Sequence, residues 1–222
     1  MTQDAWTAID HYLNGHLVQP DPALDAALRA TEAAGMPAIN VAPNQGKLLQ
    51  IFALTVGARR ILEIGTLGGY STIWLARALA PGGRLISLEY DPKHADVARK
   101  NLANAGLSDV VEVRVGRAVD TLPALEAEGG GPFDLVFIDA DKQSTPEYFA
   151  WAVRLARRGA LIIVDNVVRA GKVTDDTSTD PNVLGMRRFL AALAAEPKVT
   201  ATAVQTVGTK GHDGFAIAIV TG

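Results

Sequence analysis

The sequence contains no cysteine. Disulfides, thiolate zinc sites, iron–sulfur clusters and cysteine nucleophiles are excluded with it. It also has no apolar run approaching the roughly 18–20 residues that span a bilayer, so no membrane partner is expected. The opening stretch Met1-Thr-Gln-Asp-Ala-Trp6 is neither basic nor followed by an apolar core, which argues against a signal peptide. Basic residues form no long block and the net charge is −3. A general polyanion surface is therefore not expected, and nucleic acid is an unlikely partner. The four histidines, at 11, 16, 94 and 212, show no metal-ligand spacing and read as surface or structural residues. A cytoplasmic location is the expectation.

What is present is ordinary for a globular chain: 48% hydrophobic and 20% charged residues over 222 positions. That length builds one well-buried core, so residues 1–222 are expected to form a single domain. Residues 4–34 read as helical, with a break at Pro20-Asp-Pro22, and Gly35-Met-Pro37 and Ala42-Pro43 mark an irregular segment. Residues 1–43 are thus expected to be N-terminal helices followed by a segment covering the site. Asn44 can cap a helix through 46–54, which Gly57 ends.

From residue 60 a strand–helix alternation begins. Strands are expected at 60–64, 84–89, 110–115, 133–138 and 160–164, with helices at 70–80, 92–105, 118–128 and 146–157. A further helix, 182–195, precedes two strands, 199–207 and 215–220. These two are joined too tightly for a parallel crossover and must run antiparallel. The fold class is therefore α/β: a mostly parallel seven-stranded sheet with helices on both faces and a C-terminal antiparallel hairpin. Trp6, Trp74 and Trp151 sit in helical patterns and read as packing residues.

Ligands of open α/β sheets lie outside the carboxyl ends of the strands. The first strand ends in Glu63-Ile-Gly-Thr-Leu-Gly-Gly-Tyr70. Its glycines miss the dinucleotide spacing, and Leu67 stands where that pattern needs a glycine, which opposes a nucleotide-dependent oxidoreductase. An acidic strand end followed by a glycine turn suits a cofactor without phosphates. Glu63 could hold a cationic amino group, Gly65 lets the cofactor approach the backbone, and Ser71 can bond a carboxylate near a helix N-terminus. Glu89, ending the second strand, is placed to accept ribose hydroxyls. A tight turn flanked by surface acids is the plainer alternative, and Glu89 is what weighs against it.

The fourth strand ends in Ile138-Asp-Ala-Asp-Lys142 and the fifth in Val164-Asp-Asn166. If those strands are neighbours, about 4.8 Å apart, Asp139, Asp165 and Asn166 converge. Two carboxylates and an amide oxygen are hard ligands suited to magnesium, calcium or manganese rather than zinc. Carboxylates that merely cap the following helices are the alternative for either motif alone. Beside a divalent cation the ammonium form of Lys142 is disfavoured, so a neutral Lys142 could take a proton from an acceptor hydroxyl.

Asn40-Val-Ala-Pro, Glu63–Ser71, Glu89, Gly116, Phe137-Ile-Asp-Ala-Asp-Lys142 and Val164-Asp-Asn-Val167 together resemble the cation-dependent O-methyltransferases, the catechol and caffeoyl-coenzyme A types and their bacterial relatives. The resemblance runs from about residue 35 to 220. It implies a Rossmann-like class I methyltransferase fold and S-adenosylmethionine as cofactor. Val41, Glu63, Gly65, Thr66 and Ser71 would surround the methionine part, with Asp139 also among the cofactor contacts. Glu89 would hold the ribose, and Gly116 to Ala118 would lie beside the adenine. Asp139, Asp165 and Asn166 would hold the metal, with Lys142 as general base. The implied reaction methylates one hydroxyl of a vicinal diol on a small phenolic acceptor, and the implied assembly is a homodimer. Arg117 stands where relatives often carry an acidic residue. A methyltransferase acting on hydroxylated tRNA remains the rival within the class, opposed by the acidic net charge. The 167–181 loop, with Arg169 and Lys172, is expected to shape the acceptor pocket.

Overall fold

The computed structural model describes residues 2–222. Three helices come first: α1 (Gln3–Leu17), α2 (Pro22–Ala33) and α3 (Pro43–Thr55). Strands and helices then alternate through β1 (Arg60–Ile64), α4 (Tyr70–Ala76), β2 (Arg84–Glu89), α5 (Pro92–Asn104), β3 (Val111–Val115) and α6 (Ala118–Ala127). They continue through β4 (Phe133–Ile138), α7 (Thr145–Leu155), β5 (Ala156–Asp165) and α8 (Pro181–Ala195) to the hairpin β6 (Val199–Gly208) and β7 (Gly211–Val220). No described helix is long and apolar enough to cross a membrane.

Local chemistry sets several of these boundaries. α2, α5 and α8 each start with an Asp-Pro pair: Asp21, Asp91 and Asp180 accept hydrogen bonds from first-turn N–H groups, while the proline takes a position that needs no donor. α3 departs from expectation. Its cap is Ala42, with Pro43 opening the helix, and Asn44 lies inside, donating its amide to Asp10 Oδ1 at 2.9 Å. α4 ends at Ala76, short of Ala80, because the chain turns so that the Ala80 N–H reaches the Ala58 carbonyl at 2.8 Å. α7 ends at Leu155 and β5 starts at once, ahead of the expected residue 160; a register shift against Phe133–Leu135 and a left-handed Gly159 absorb the extra residues. The segment 208–214, expected as a loop, is mostly strand. Gly208 faces Gly211, which leaves only Thr209 and Lys210 in the turn, and Gly211 supplies a positive φ.

Among the described residues the seven strands form one sheet in the order β3-β2-β1-β4-β5-β7-β6. β1 to β5 pair in parallel, and β7 runs antiparallel to both β5 and β6. Side chains alternate across the sheet and fill two cores. Leu62, Ile64, Val136, Ile138, Ile162 and Val164 pack with α6, α7 and α8, including the fully buried Phe189. Ile61, Leu85, Leu135, Phe137 and Ile163 pack with the helices α2 to α5 on the other face. The same alternation fixes the acids at the strand ends: Glu63, Asp139 and Asp165 all continue the second set, with Glu63 meeting α4 and Asp165 meeting α3.

Candidate active site

A cavity of about 890 Å³ opens along the carboxyl edge of β1, β2 and β4. Val41, Gly65, Thr66, Ser71, Glu89, Gly116 and Ala118 line it, as do Asp139, Lys142 and Asn166. Glu63 and Asp165 do not; both are buried.

Glu63 is enclosed because its place on β1 aims it under α4. Its carboxylate accepts hydrogen bonds from Ser71 Oγ (2.6 Å), Thr72 Oγ1 (2.5 Å) and Ser87 Oγ (2.6 Å). Burial pushes its carboxyl up from 4.5 to about 7; the three hydroxyls oppose this and the charge on Asp139 adds to it. The carboxylate therefore ties the start of α4 to β2. Between pH 4.5 and about 7 the folded chain keeps a proton on this group that the unfolded chain has lost. Stability from it is complete below the lower value and disappears as pH rises through the higher. Glu63→Gln is expected to make the fall in stability from about pH 5 to 8 shallower by on the order of 3 kcal/mol. A calorimetric Tm series against pH checks this, and an unchanged slope in the variant would contradict it. Asp165, raised in the same direction, leaves a residual slope.

Glu89 shapes the glycine turn. Its Oε2 accepts from the N–H groups of Thr66 (3.1 Å) and Leu67 (2.8 Å), and its Oε1 from Asp91 N–H (2.9 Å). Gly65 holds φ +99°, and a Cβ there would meet the Asp139 carbonyl oxygen at 2.1 Å. Glycine is thus required for β1 and β4 to close together at this point, a reason apart from any cofactor. Leu67 is itself left-handed, with φ +49°, and lines the cavity where a dinucleotide motif would keep the backbone bare.

At the far side the register brings the acidic motifs together. Ile138 pairs with Val164, so one step beyond them Asp139 and Asp165 stand level on adjacent strands. Lys142 Nζ donates to Asp139 Oδ1 at 2.7 Å, and Lys142 is only 9% exposed. Asp165 accepts from Gln45 Nε2 and Asn166 N–H, both at 2.8 Å. Burial first, and the charge of Asp139 second, push the Asp165 carboxyl up to about 7, with Lys142 opposing. Asn166 occupies φ +59°, a conformation asparagine tolerates better than most residues. Among the described residues no three of His, Asp and Glu gather into a metal-holding group. The set here is two carboxylates and an amide: hard oxygen donors around surplus buried negative charge, which fits a divalent cation of the magnesium type.

Several cavity residues carried little signal in the sequence. His94, read as a surface or structural residue, lines the cavity with Nδ1 at 3.7 Å from Glu89, because the first turn of α5 follows the strand bearing that acid. Tyr148 lines it too and hydrogen-bonds Asp141. Burial and Asp141 raise the phenol, while Ser144 and Tyr148 hold the Asp141 carboxyl below its usual range against the penalty of burial. Spacing Asp141 seven residues before a tyrosine on α7 was the available clue. Of the loop basic residues, Arg169 reaches the cavity and Lys172 does not line it.

A family model described as O-methyltransferase matches residues 16–217. A catechol O-methyltransferase of Niastella koreensis is 56% identical, covering 99% of this chain and 100% of its own length. The structure of an O-methyltransferase from Bacillus cereus in complex with SAH superposes with a TM-score of 0.98 at 55% identity, covering 99% of this chain and 100% of that one. The O-methyltransferase TomG of Streptomyces achromogenes, involved in tomaymycin synthesis and solved with SAM, gives 0.96 at 52% identity over 100% of both chains.

Proposed function

The chain belongs to the O-methyltransferase family, and on that footing we propose that it moves the methyl group of S-adenosylmethionine to one hydroxyl of a vicinal aromatic diol, with a divalent metal and with Lys142 as base. The observation that carries this reading is that Asp139, Lys142 and Asn166 line one cavity with the Glu89-braced glycine turn, while Asp165 stands level with Asp139 on the adjacent strand. The glycine turn suits a sulfonium nucleoside without phosphates, and the acidic set suits a chelating pair of oxygens.

In this mechanism the glycine turn and Ser71 seat the methionine part, and Glu89 keeps lone pairs for ribose hydroxyls beyond those used by the backbone. Asp139, Asp165 and Asn166 would hold the cation, which supplies Lewis acidity that orients and acidifies the acceptor. Lys142 removes the hydroxyl proton. The new C–O bond then forms as the C–S bond breaks, and its electron pair stays on sulfur. Asp139 Oδ1, 2.7 Å from Lys142 Nζ, stabilises the ammonium that results. No covalent bond to the protein is needed, so rate enhancement comes from alignment and charge placement.

Titration calorimetry is expected to show S-adenosylhomocysteine binding and no NAD binding. Turnover of catechol is expected to stop with a chelator and return with magnesium. Chelator-resistant turnover would remove the metal from the mechanism, and NAD binding in place of S-adenosylhomocysteine would overturn the assignment.

A further inference from the structure

Gln45 has no part in the mechanism above, yet its side chain meets the buried Asp165. It stands in the first turn of α3 and reaches the end of β5, where its Nε2 donates to Asp165 Oδ2 at 2.8 Å. The Asn166 N–H donates to the other oxygen, Oδ1, also at 2.8 Å. With both oxygens tied and Asp165 only 5% exposed, the carboxylate cannot turn about its Cβ–Cγ bond without stranding a buried donor. An ionised carboxylate offers roughly four lone-pair positions, so these two bonds leave others open to a cation.

Gln45 is itself held. Its N–H donates to Asn44 Oδ1 at 2.9 Å, and Asn44 Nδ2 donates to Asp10 Oδ1 on α1, also at 2.9 Å. Asp10 is buried, and its second oxygen accepts from the Thr209 N–H in the β6–β7 turn at 2.8 Å. The next residue, Gly46, packs so closely on α4 that a Cβ there would meet the Trp74 ring at 2.4 Å. The first turn of α3 is thereby fixed from α1, from α4 and from the C-terminal hairpin, which is the support a side chain needs to hold another in one direction.

We propose that Gln45 is a positioning residue for the divalent cation, acting through Asp165 and setting how tightly the cation is held. Carboxylate ligands are oriented by hydrogen bonds from groups that do not touch the metal themselves. The two acids are oriented differently. Lys142 brings an ammonium to Asp139 at 2.7 Å, whereas the Gln45 amide is neutral and orients Asp165 without competing with a cation for its charge. The proposal rests on the metal-dependent reading given above and adds a residue to it, together with a route by which α1 supports the site.

The test titrates manganese into the full chain and follows the paramagnetic resonance signal of the free ion, in the native protein and in Gln45→Met and Gln45→Asn. Methionine removes the donor at similar volume. Asparagine keeps an amide on α3 but draws it back from Asp165 by one methylene, a mild change that the fold should survive. Both variants are expected to bind manganese about 10- to 100-fold more weakly, with S-adenosylhomocysteine affinity, measured by calorimetry without metal, staying within about threefold. Native-like manganese affinity in either variant would overturn the proposal and leave Gln45 as an anchor of α3. Parallel losses of manganese and S-adenosylhomocysteine binding would also overturn it, because a loosened α3 disturbs Val41, which lines the cavity just before that helix. If the native chain binds no manganese, or binds it equally well after Asp139→Ala, the metal reading itself fails and the proposal falls with it.

Discussion

Asp165→Ala is expected to lower catechol turnover by about 1,000-fold or more, the loss expected when several kcal/mol of Lewis-acid stabilisation disappear. Affinity for S-adenosylhomocysteine is expected to stay within about threefold, because the hydrogen bonds of Asp165 go to Gln45 and Asn166 and none to the glycine turn. The fold is expected to survive. Asp165 is 5% exposed, and its carboxyl sits at about 7 through burial and the facing Asp139, so its charge is a burden on the native state. The alanine variant strands Gln45 Nε2, which donates to it at 2.8 Å. Asp165→Asn keeps an acceptor for that amide and separates loss of charge from loss of packing. Turnover within tenfold of the native enzyme in both variants would rule out Asp165 as a ligand.

Lys142→Met is expected to act on kcat, lowering it by about 100- to 10,000-fold, the range that a positioned general base supplies. KM for the acceptor should change little. Methionine keeps most of the buried stem volume while removing the nitrogen, so a large fall in Tm is not expected. The diagnostic signature lies in pH: turnover by the variant should climb with pH over the range where the phenol ionises by itself, while the native enzyme is less dependent on it. A variant retaining near-native kcat at neutral pH would leave Lys142 as a charge partner of Asp139 only.

Much of the architecture was legible because strand periodicity and Asp-Pro helix starts are local signals. β1, β2 and β4 fall at their expected residues, and the hairpin direction follows from the short connection. Boundaries that depend on distant partners were not legible. β5 begins at Ala156 because its first residue pairs with Phe133. The expected 208–214 loop is strand because His212 and Asp213 find Val207 and Thr206 across the hairpin. The site shows the same division. The convergence of Asp139 with Asp165 follows from strand order and parallel register. That Glu63 faces three hydroxyls instead of the cavity follows from pleat parity, which positions Glu63 with Ile61. His94 and Tyr148 reach the cavity through the angles at which α5 and α7 pack on the sheet, and one sequence does not encode those angles in a readable way.

The reversed direction of β7 has a consequence for the order of assembly. Because it runs against β5, its early residues, Asp213 to Phe215, arrive at the carboxyl edge, where Phe215 pairs with Asp165. The glycine turn and its Glu89 brace need nothing from this strand, since they are complete once β1, β2 and α4 have met. The turn at Arg169 needs a contact spanning 44 residues, from Asp213 to Arg169, before it can close. During synthesis or refolding the chain can thus pass through a state in which the glycine turn is formed and the turn at Arg169 is not, because long-range pairing forms late.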